Sequence, residues 1–99
     1  MARYDVYSAQ DVEGYLLDVQ AGTLEDFPAI VAVPLVLSKS YQKPISRLHP
    51  SFFIGGAGLV MLTHNIGTFP RSALSGPITN LASQHERIRD ALEMLLHGF

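Results

Sequence analysis

The sequence predicts a mainly β domain that ends in a single α-helix. Short apolar runs separated by glycine- and proline-containing turns fill the chain up to about residue 75, which is the pattern of antiparallel strands. The remainder instead has helical spacing, with apolar residues at positions 81, 88, 92, 95 and 96. The chain has 99 residues, the length of one domain. We therefore expect residues 1–99 to fold as a single unit.

Strand predictions follow from local composition, taken in chain order. Six segments have the alternating or β-branched composition of strands: 4–7, 15–20, 29–37, 51–54, 58–63 and 68–70. Pro34 cannot donate a ladder hydrogen bond, so we expect a bulge, bend or edge within the long central strand. Gly55 and Gly56 allow the positive φ of a tight hairpin turn. Asp18 lies in an alternating strand, and we expect it to face solvent.

The helix prediction rests on its ends as well as on its apolar stripe. Ser83 and Glu86 have the spacing of a capping box, which places the helix start near residue 83. Gly98 suits the residue just past a helix end. Ser72 and Ser75 are expected to lie in a loop, because proline and glycine surround them.

Composition excludes several classes of function. Seven basic residues against nine acidic ones leave a net charge of −2, which provides little of the basic face that a nucleic-acid binder needs. Cysteine is absent, so disulfides, thiolate zinc sites and a cysteine nucleophile are excluded. The start of the chain turns polar at once, and no apolar run approaches the ~20 residues of a membrane helix. We expect a cytoplasmic protein without direct contact to nucleic acid or membrane.

The sequence lacks the motifs of common catalytic and metal sites, which favours a protein that is not an enzyme. The four histidines lack the spacing of a zinc motif, and there is no GxSxG nucleophile turn. The glycine run at 55–58 lacks the lysine and the following helix of a phosphate-binding loop. We therefore predict no catalytic residues, no metal and no cofactor.

The remaining candidate for a site is the C-terminal tip, His97-Gly98-Phe99, which directly follows two leucines. Two interpretations stay open from these residues. The terminal aromatic side chain folds back on its own core, or the tip is a recognition element that a partner covers.

Six short segments occur in a recognisable order along the chain: Tyr4-Asp5-Val6-Tyr7, Asp18-Val19-Gln20, Val33-Pro34-Leu35, Leu48-His49-Pro50, Ile54-Gly55 and Met61-Leu62-Thr63. They are followed by the closing helix, which ends in Gly98 and an apolar residue. Their order and spacing resemble the CcdB family of toxins over essentially the full length; in its toxin–antitoxin modules, CcdB is paired with the antitoxin CcdA. The resemblance implies an SH3-like β barrel of the CcdB/MazF type with a C-terminal helix, assembled as a homodimer.

The resemblance also implies a function without chemistry of its own. The toxin binds the A subunit of DNA gyrase and traps the gyrase–DNA cleavage complex, a topoisomerase inhibition used in plasmid maintenance. A CcdA-like antitoxin neutralises it through a flexible segment that folds on binding. By position, the gyrase-facing residues are His97, Gly98 and Phe99, supported by Leu96 and Glu93 on the helix and by Thr23 and Leu24 in the loop after the second strand.

Two alternatives remain beside this interpretation. His97 stands where the family has tryptophan, and histidine offers a smaller stacking face and titrates near neutral pH. One alternative therefore keeps the fold and the antitoxin but assigns a different target or no toxicity. The other is an endoribonuclease like MazF or Kid, on a similar barrel. It is less favoured, because the strands hold no grouping of arginine with acid–base residues.

Overall fold

The computed structural model describes residues 2–10, 12–24 and 26–98. Within these ranges seven antiparallel strands form one sheet, and a single α-helix, α1 (His85–His97), packs against it. The strands are β1 (Asp5–Ala9), β2 (Tyr15–Asp18), β3 (Ala29–Leu37), β4 (Ser51–Ile54), β5 (Ala57–Met61), β6 (Gly67–Pro70) and β7 (Leu74–Asn80). The prediction of a mainly β fold with a C-terminal helix is confirmed, and the sheet curves as a half-barrel.

The sheet is organised around β3, which has neighbours on both edges. The hydrogen-bonded order is β4-β5-β3-β2-β1-β7, and β6 pairs with the other half of β3. Residues 29–32 face β6 and residues 35–37 face β5. Pro34 lies between these two ladders, where its carbonyl accepts the N–H of Leu62 at 2.9 Å. The N–H and C=O of a strand residue point to the same edge of the strand. The position of the N–H that Pro34 lacks therefore falls between the ladder with β6 and the ladder with β5. The irregularity that the sequence predicted at Pro34 is this change of partner.

The hairpin between β4 and β5 has the predicted turn. Ile54 pairs with Ala57, so Gly55 and Gly56 form a two-residue loop with φ of 60° and 82°. Positive φ at both positions matches the twist of the flanking strands, and glycine adopts it without a Cβ penalty.

Alternate side chains of each strand point to opposite faces of the sheet, and each face carries a buried cluster. On the helix side, Val6, Leu17 and Val33 pack with Ile88 and Ala91 of α1. On the other side a smaller cluster is completely buried and consists of Tyr7, Leu16, Ile30 and Ala32. Since β2 is covered on both faces, Asp18 is buried and only 4% exposed. The expectation that it faces solvent was wrong.

The seventh strand corrects the prediction that Ser75 lies in a loop and that helix follows from about residue 75. Ser72 lies before this strand, in the 3-10 turn Arg71–Ala73. β7 pairs with β1 across a register shift between Val6 and Ser8. Gly76 lies opposite this irregularity with φ of 125°. The Gly-Pro pair breaks the alternation by which a strand is recognised, and pairing with β1 nevertheless forms the strand.

The start of the helix is a second correction. α1 begins at His85 and its N-cap residue, Gln84, makes no side-chain capping bond, so the capping box of Ser83 and Glu86 was wrong. The chain enters the helix through a 3-10 turn, Ala82–Gln84, whose first N–H donates to Oδ1 of Asn80 at 2.8 Å. Gly98 ends the helix as predicted, with φ of 80° and its N–H on the carbonyl of Met94.

In the described ranges no helix is long and apolar enough to cross a membrane.

Candidate functional site

An open groove of about 560 Å³ lies between the C-terminal half of α1 and the segment that follows β2. The helix lines it with apolar and charged side chains: Arg89, Leu92, Glu93, Leu96 and His97. The opposite wall and floor consist mainly of apolar side chains and complete the lining: Arg3, Val19, Gln20, Ala21, Leu24, Val31 and Ile66. The groove therefore combines an apolar floor with two guanidinium groups and one carboxylate at its rim.

The apolar stripe of α1 continues past the core and into this groove. Ile88 and Ala91 are fully buried, and Leu92 packs at the edge of the core. Leu96 lies one turn beyond Leu92 on the same face, yet it is 67% exposed. An exposed leucine beside an apolar groove provides apolar surface that a partner can cover, and this burial would favour binding.

Gln20 fixes the wall opposite the helix. Its Oε1 accepts the N–H of Val31 at 3.2 Å, and its Nε2 donates to the carbonyls of Leu24 at 3.2 Å and Ala29 at 3.3 Å. One side chain thus joins the end of β2, the 3-10 turn Gly22–Leu24 and the start of β3. The position of Leu24 is set by these bonds.

Arg71 supports the same wall from a distant part of the chain. Its guanidinium donates to the carbonyl of Leu24 at 3.2 Å and to that of Phe27. The loop is therefore held at several backbone carbonyls. No spacing in the sequence points to Arg71, because it lies far along the chain, whereas Gln20 belongs to the Asp-Val-Gln segment on which the family resemblance partly rests.

Four of the seven predicted site residues meet at the groove: Leu24, Glu93, Leu96 and His97. Thr23 is exposed on the neighbouring 3-10 turn and does not line the groove, and Gly98 ends the helix beside it. Phe99 lies outside the described residues. The assignment of these residues to a target-binding site stays a prediction.

Within the described ranges, no three or more histidine, aspartate or glutamate side chains converge to hold a metal ion. The groove offers an apolar surface and charged side chains at its rim. Apolar contact and pairing of opposite charges are the interactions by which protein surfaces bind macromolecules.

These features define a small antiparallel β protein that presents a groove along its C-terminal helix. The family model described as CcdB protein matches residues 3–98, and the chain therefore belongs to the CcdB family. Membership implies a toxin of a toxin–antitoxin module, in a family that acts by poisoning gyrase and not by catalysing a reaction. No curated protein matches the sequence.

Proposed function

We propose that this protein is the toxin of a module of the CcdA/CcdB type, and that it binds the A subunit of DNA gyrase and traps the cleavage complex. The observation on which this proposal rests is the groove, which has Leu24 of the loop on one wall and Leu96 and His97 at the end of α1 on the other. Gly98 ends the helix beside the groove, and Phe99 follows it in the sequence. We propose that groove and tip together contact gyrase.

The exposure of Leu96 supports a binding role for the helix end. Fully burying a leucine side chain contributes about 1.5–3 kcal/mol, and Leu96 retains most of that surface in water. Arg3 and Arg89 at the rim favour a partner whose apolar residues are flanked by carboxylates. We propose that an acidic, flexible segment of a CcdA-like antitoxin uses this complementarity to block the toxin.

We further propose that residues 1–99 act as one toxin domain, that the protein is a homodimer and that it works in the cytoplasm, where gyrase is found. Gyrase A subunits are themselves paired. A two-fold dimer of the toxin presents two identical tips, which fits a two-fold target.

A gyrase cleavage assay tests the proposal. Supercoiled DNA, gyrase, ATP and the protein are incubated, and the reaction is quenched with detergent and protease. We expect linear DNA only when the protein is present. Leu96→Ser should raise the concentration needed by at least about fivefold, because a truncated contact residue at the centre of an interface costs more than ~1 kcal/mol. The matched control is Ile45→Ser, which removes an apolar side chain that is 53% exposed away from the groove and should leave cleavage unchanged.

Absence of linear DNA while a known poison works in the same reaction would contradict the proposal. His97→Trp is then assayed. Recovery of linear DNA would show that the groove binds gyrase and that histidine at this position limits the binding of the wild type. Without recovery the protein has another target or no toxicity, and incubation with RNA distinguishes an endoribonuclease from a binding protein.

A further inference from the structure

Two histidines outside the groove contact each other. Nε2 of His49 and Nδ1 of His64 are 2.9 Å apart, and the ring centroids are 4.9 Å apart at 72°. Tyr41 packs against both rings, with centroid distances of 5.2 Å to His49 and 6.1 Å to His64. His49 is buried, with 5% of its surface exposed, whereas His64 is exposed.

The hydrogen bonds determine where the protons are. Nδ1 of His49 accepts the backbone N–H of Ile45 at 2.9 Å, so this nitrogen has no proton and the neutral ring is protonated at Nε2. That proton is donated to Nδ1 of His64, which must also be free of a proton. The contact exists only while both imidazoles are neutral. It is not a metal site in this form, because a metal at Nε2 of His49 would have to displace its proton.

The pair closes a long connection onto the body of the protein. Within the connection, the N–H of His49 donates to the carbonyl of Ile45 at 2.7 Å. Thr63, beside His64, donates its hydroxyl proton to the carbonyl of Leu48. On the other side, Arg47 forms a salt bridge of 3.0 Å with Asp90 of α1. Residues 41–50 are therefore attached to the 3-10 turn Thr63–Asn65 and to the helix.

We propose that His49 and His64 form an acid-labile clasp that holds residues 41–50 against the turn Thr63–Asn65 and releases them when either imidazole takes up a proton. Protonation of His49 at Nδ1 removes the acceptor of the Ile45 N–H. Protonation of His64 at Nδ1 places two N–H groups face to face. Each event breaks one of the two bonds of the buried ring.

The surroundings of the buried ring oppose its protonation, and burial is the main cause. Burial, and secondarily the charge on His64, lower the pKa of His49 below its usual value. Tyr41 contributes an aromatic ring, and the carboxylate of Asp90 is engaged by Arg47. The helix adds a further cation, Arg87, which donates to the carbonyl of Ser51 at 2.8 Å. The closed clasp thus binds fewer protons than the open one, so its stability is intact above about pH 6.5 and declines as the pH falls.

Hydrogen exchange on the full chain, measured by NMR, tests the clasp. Protection factors are compared between pH 7.5 and 5.5, so that the intrinsic change in exchange rate is removed. The protection of the Ile45 amide should fall below pH 6.5, by up to about tenfold for each pH unit. The Val19 amide, which is bonded to the carbonyl of Val31, serves as a reference and should stay protected.

Two variants complete the test. His49→Asn places an amide oxygen near the position of Nδ1 but cannot be protonated, so the protection of Ile45 should become independent of pH. His85→Gln removes an exposed histidine at the start of α1 and should keep the wild-type pH dependence. The proposal is overturned if Ile45 protection in the wild type does not change, if His49→Asn shows the same decline, or if Val19 loses protection together with Ile45.

A second measurement uses the wild type alone, in case His49→Asn does not fold. Nitrogen NMR of the imidazoles reports the tautomer directly. We expect His49 protonated at Nε2 at pH 7.5, and its titration should coincide with a shift of the Ile45 amide. Observation of the Nδ1–H tautomer would overturn the proposal, because the ring would then have no acceptor for Ile45.

Discussion

At the scale of single residues, Tyr7 shows how burial changes the chemistry of a side chain. The residue is completely buried in the smaller core cluster, and its hydroxyl donates to Oδ2 of Asp5 at 3.3 Å. Burial, with the negative charge of Asp5 as a second cause, raises the pKa of Tyr7 to about 12. The folded protein therefore keeps this proton more tightly than the unfolded chain.

The pKa of Tyr7 predicts a loss of stability at alkaline pH. The stabilisation associated with its proton is intact below about pH 10 and is lost as the pH rises toward 12, which amounts to about 2–3 kcal/mol at ~1.4 kcal/mol per pKa unit. Tyr7→Phe should remove this part of the pH dependence and the late phase of an ultraviolet titration of the phenols. The prediction is contradicted if urea unfolding of the variant declines between pH 10 and 12 as steeply as that of the wild type.

Three of the residues that the family resemblance assigns to the target-binding site lie together at the groove. Glu93, Leu96 and His97 share it because residues three and four positions apart lie on the same face of a helix. The role of Gln20 and Arg71 in holding the loop was not predicted. Both side chains donate to backbone carbonyls that only the folded loop brings within reach. The burial of Asp18 was missed for a similar reason. Alternation indicates which residues share a face, but not that both faces are covered.

At the scale of elements, the β4–β5 hairpin depends on two glycines in a left-handed conformation. A Cβ at Gly56 would contact nothing within 4 Å, so any cost of Gly56→Ala comes from the backbone alone. We expect a loss of roughly 1–2 kcal/mol in the free energy of unfolding, because an L-residue is strained at φ of 82°.

The matched control for the hairpin is Gly22→Ala, where a Cβ also contacts nothing and φ is not in the positive range. This variant should be neutral or slightly stabilising, since alanine restricts the unfolded chain. Gly56→Asn should lie between the two, because asparagine tolerates the left-handed region. Equal unfolding midpoints in urea for Gly56→Ala and Gly22→Ala would rule out backbone strain as the source of the effect.

The elements that sequence predicted well are those whose signal is local. β3 and β4 have the predicted bounds, 29–37 and 51–54, because apolar runs and turn glycines mark their ends. β7 was missed because its Gly-Pro interruption hides the alternation, and its partner β1 lies at the other end of the chain. The helix start was displaced by two residues, because a 3-10 turn occupies the position that the capping pattern suggested.

At the scale of the whole molecule, several large apolar side chains remain exposed on the surface. Phe53 on β4 is 82% exposed, and Ile78 on β7 is about half exposed. These strands lie at the two ends of the hydrogen-bonded order, where unpaired edges with apolar side chains favour association. A domain of this length buries only roughly 60–68% of its unfolded surface. Association between copies would add the burial that one chain lacks.

We therefore predict that the protein is a dimer at micromolar concentration, as membership of the CcdB family also suggests. Sedimentation equilibrium should give twice the chain mass. The thermal midpoint should rise with protein concentration, because folding is then linked to association. A truncated chain lacking Gly98 and Phe99 should keep both properties while losing gyrase cleavage, since Gly98 only ends the helix. A monomer with a midpoint independent of concentration would contradict the dimer, and unfolding of the truncated chain would mean that the tip belongs to the core.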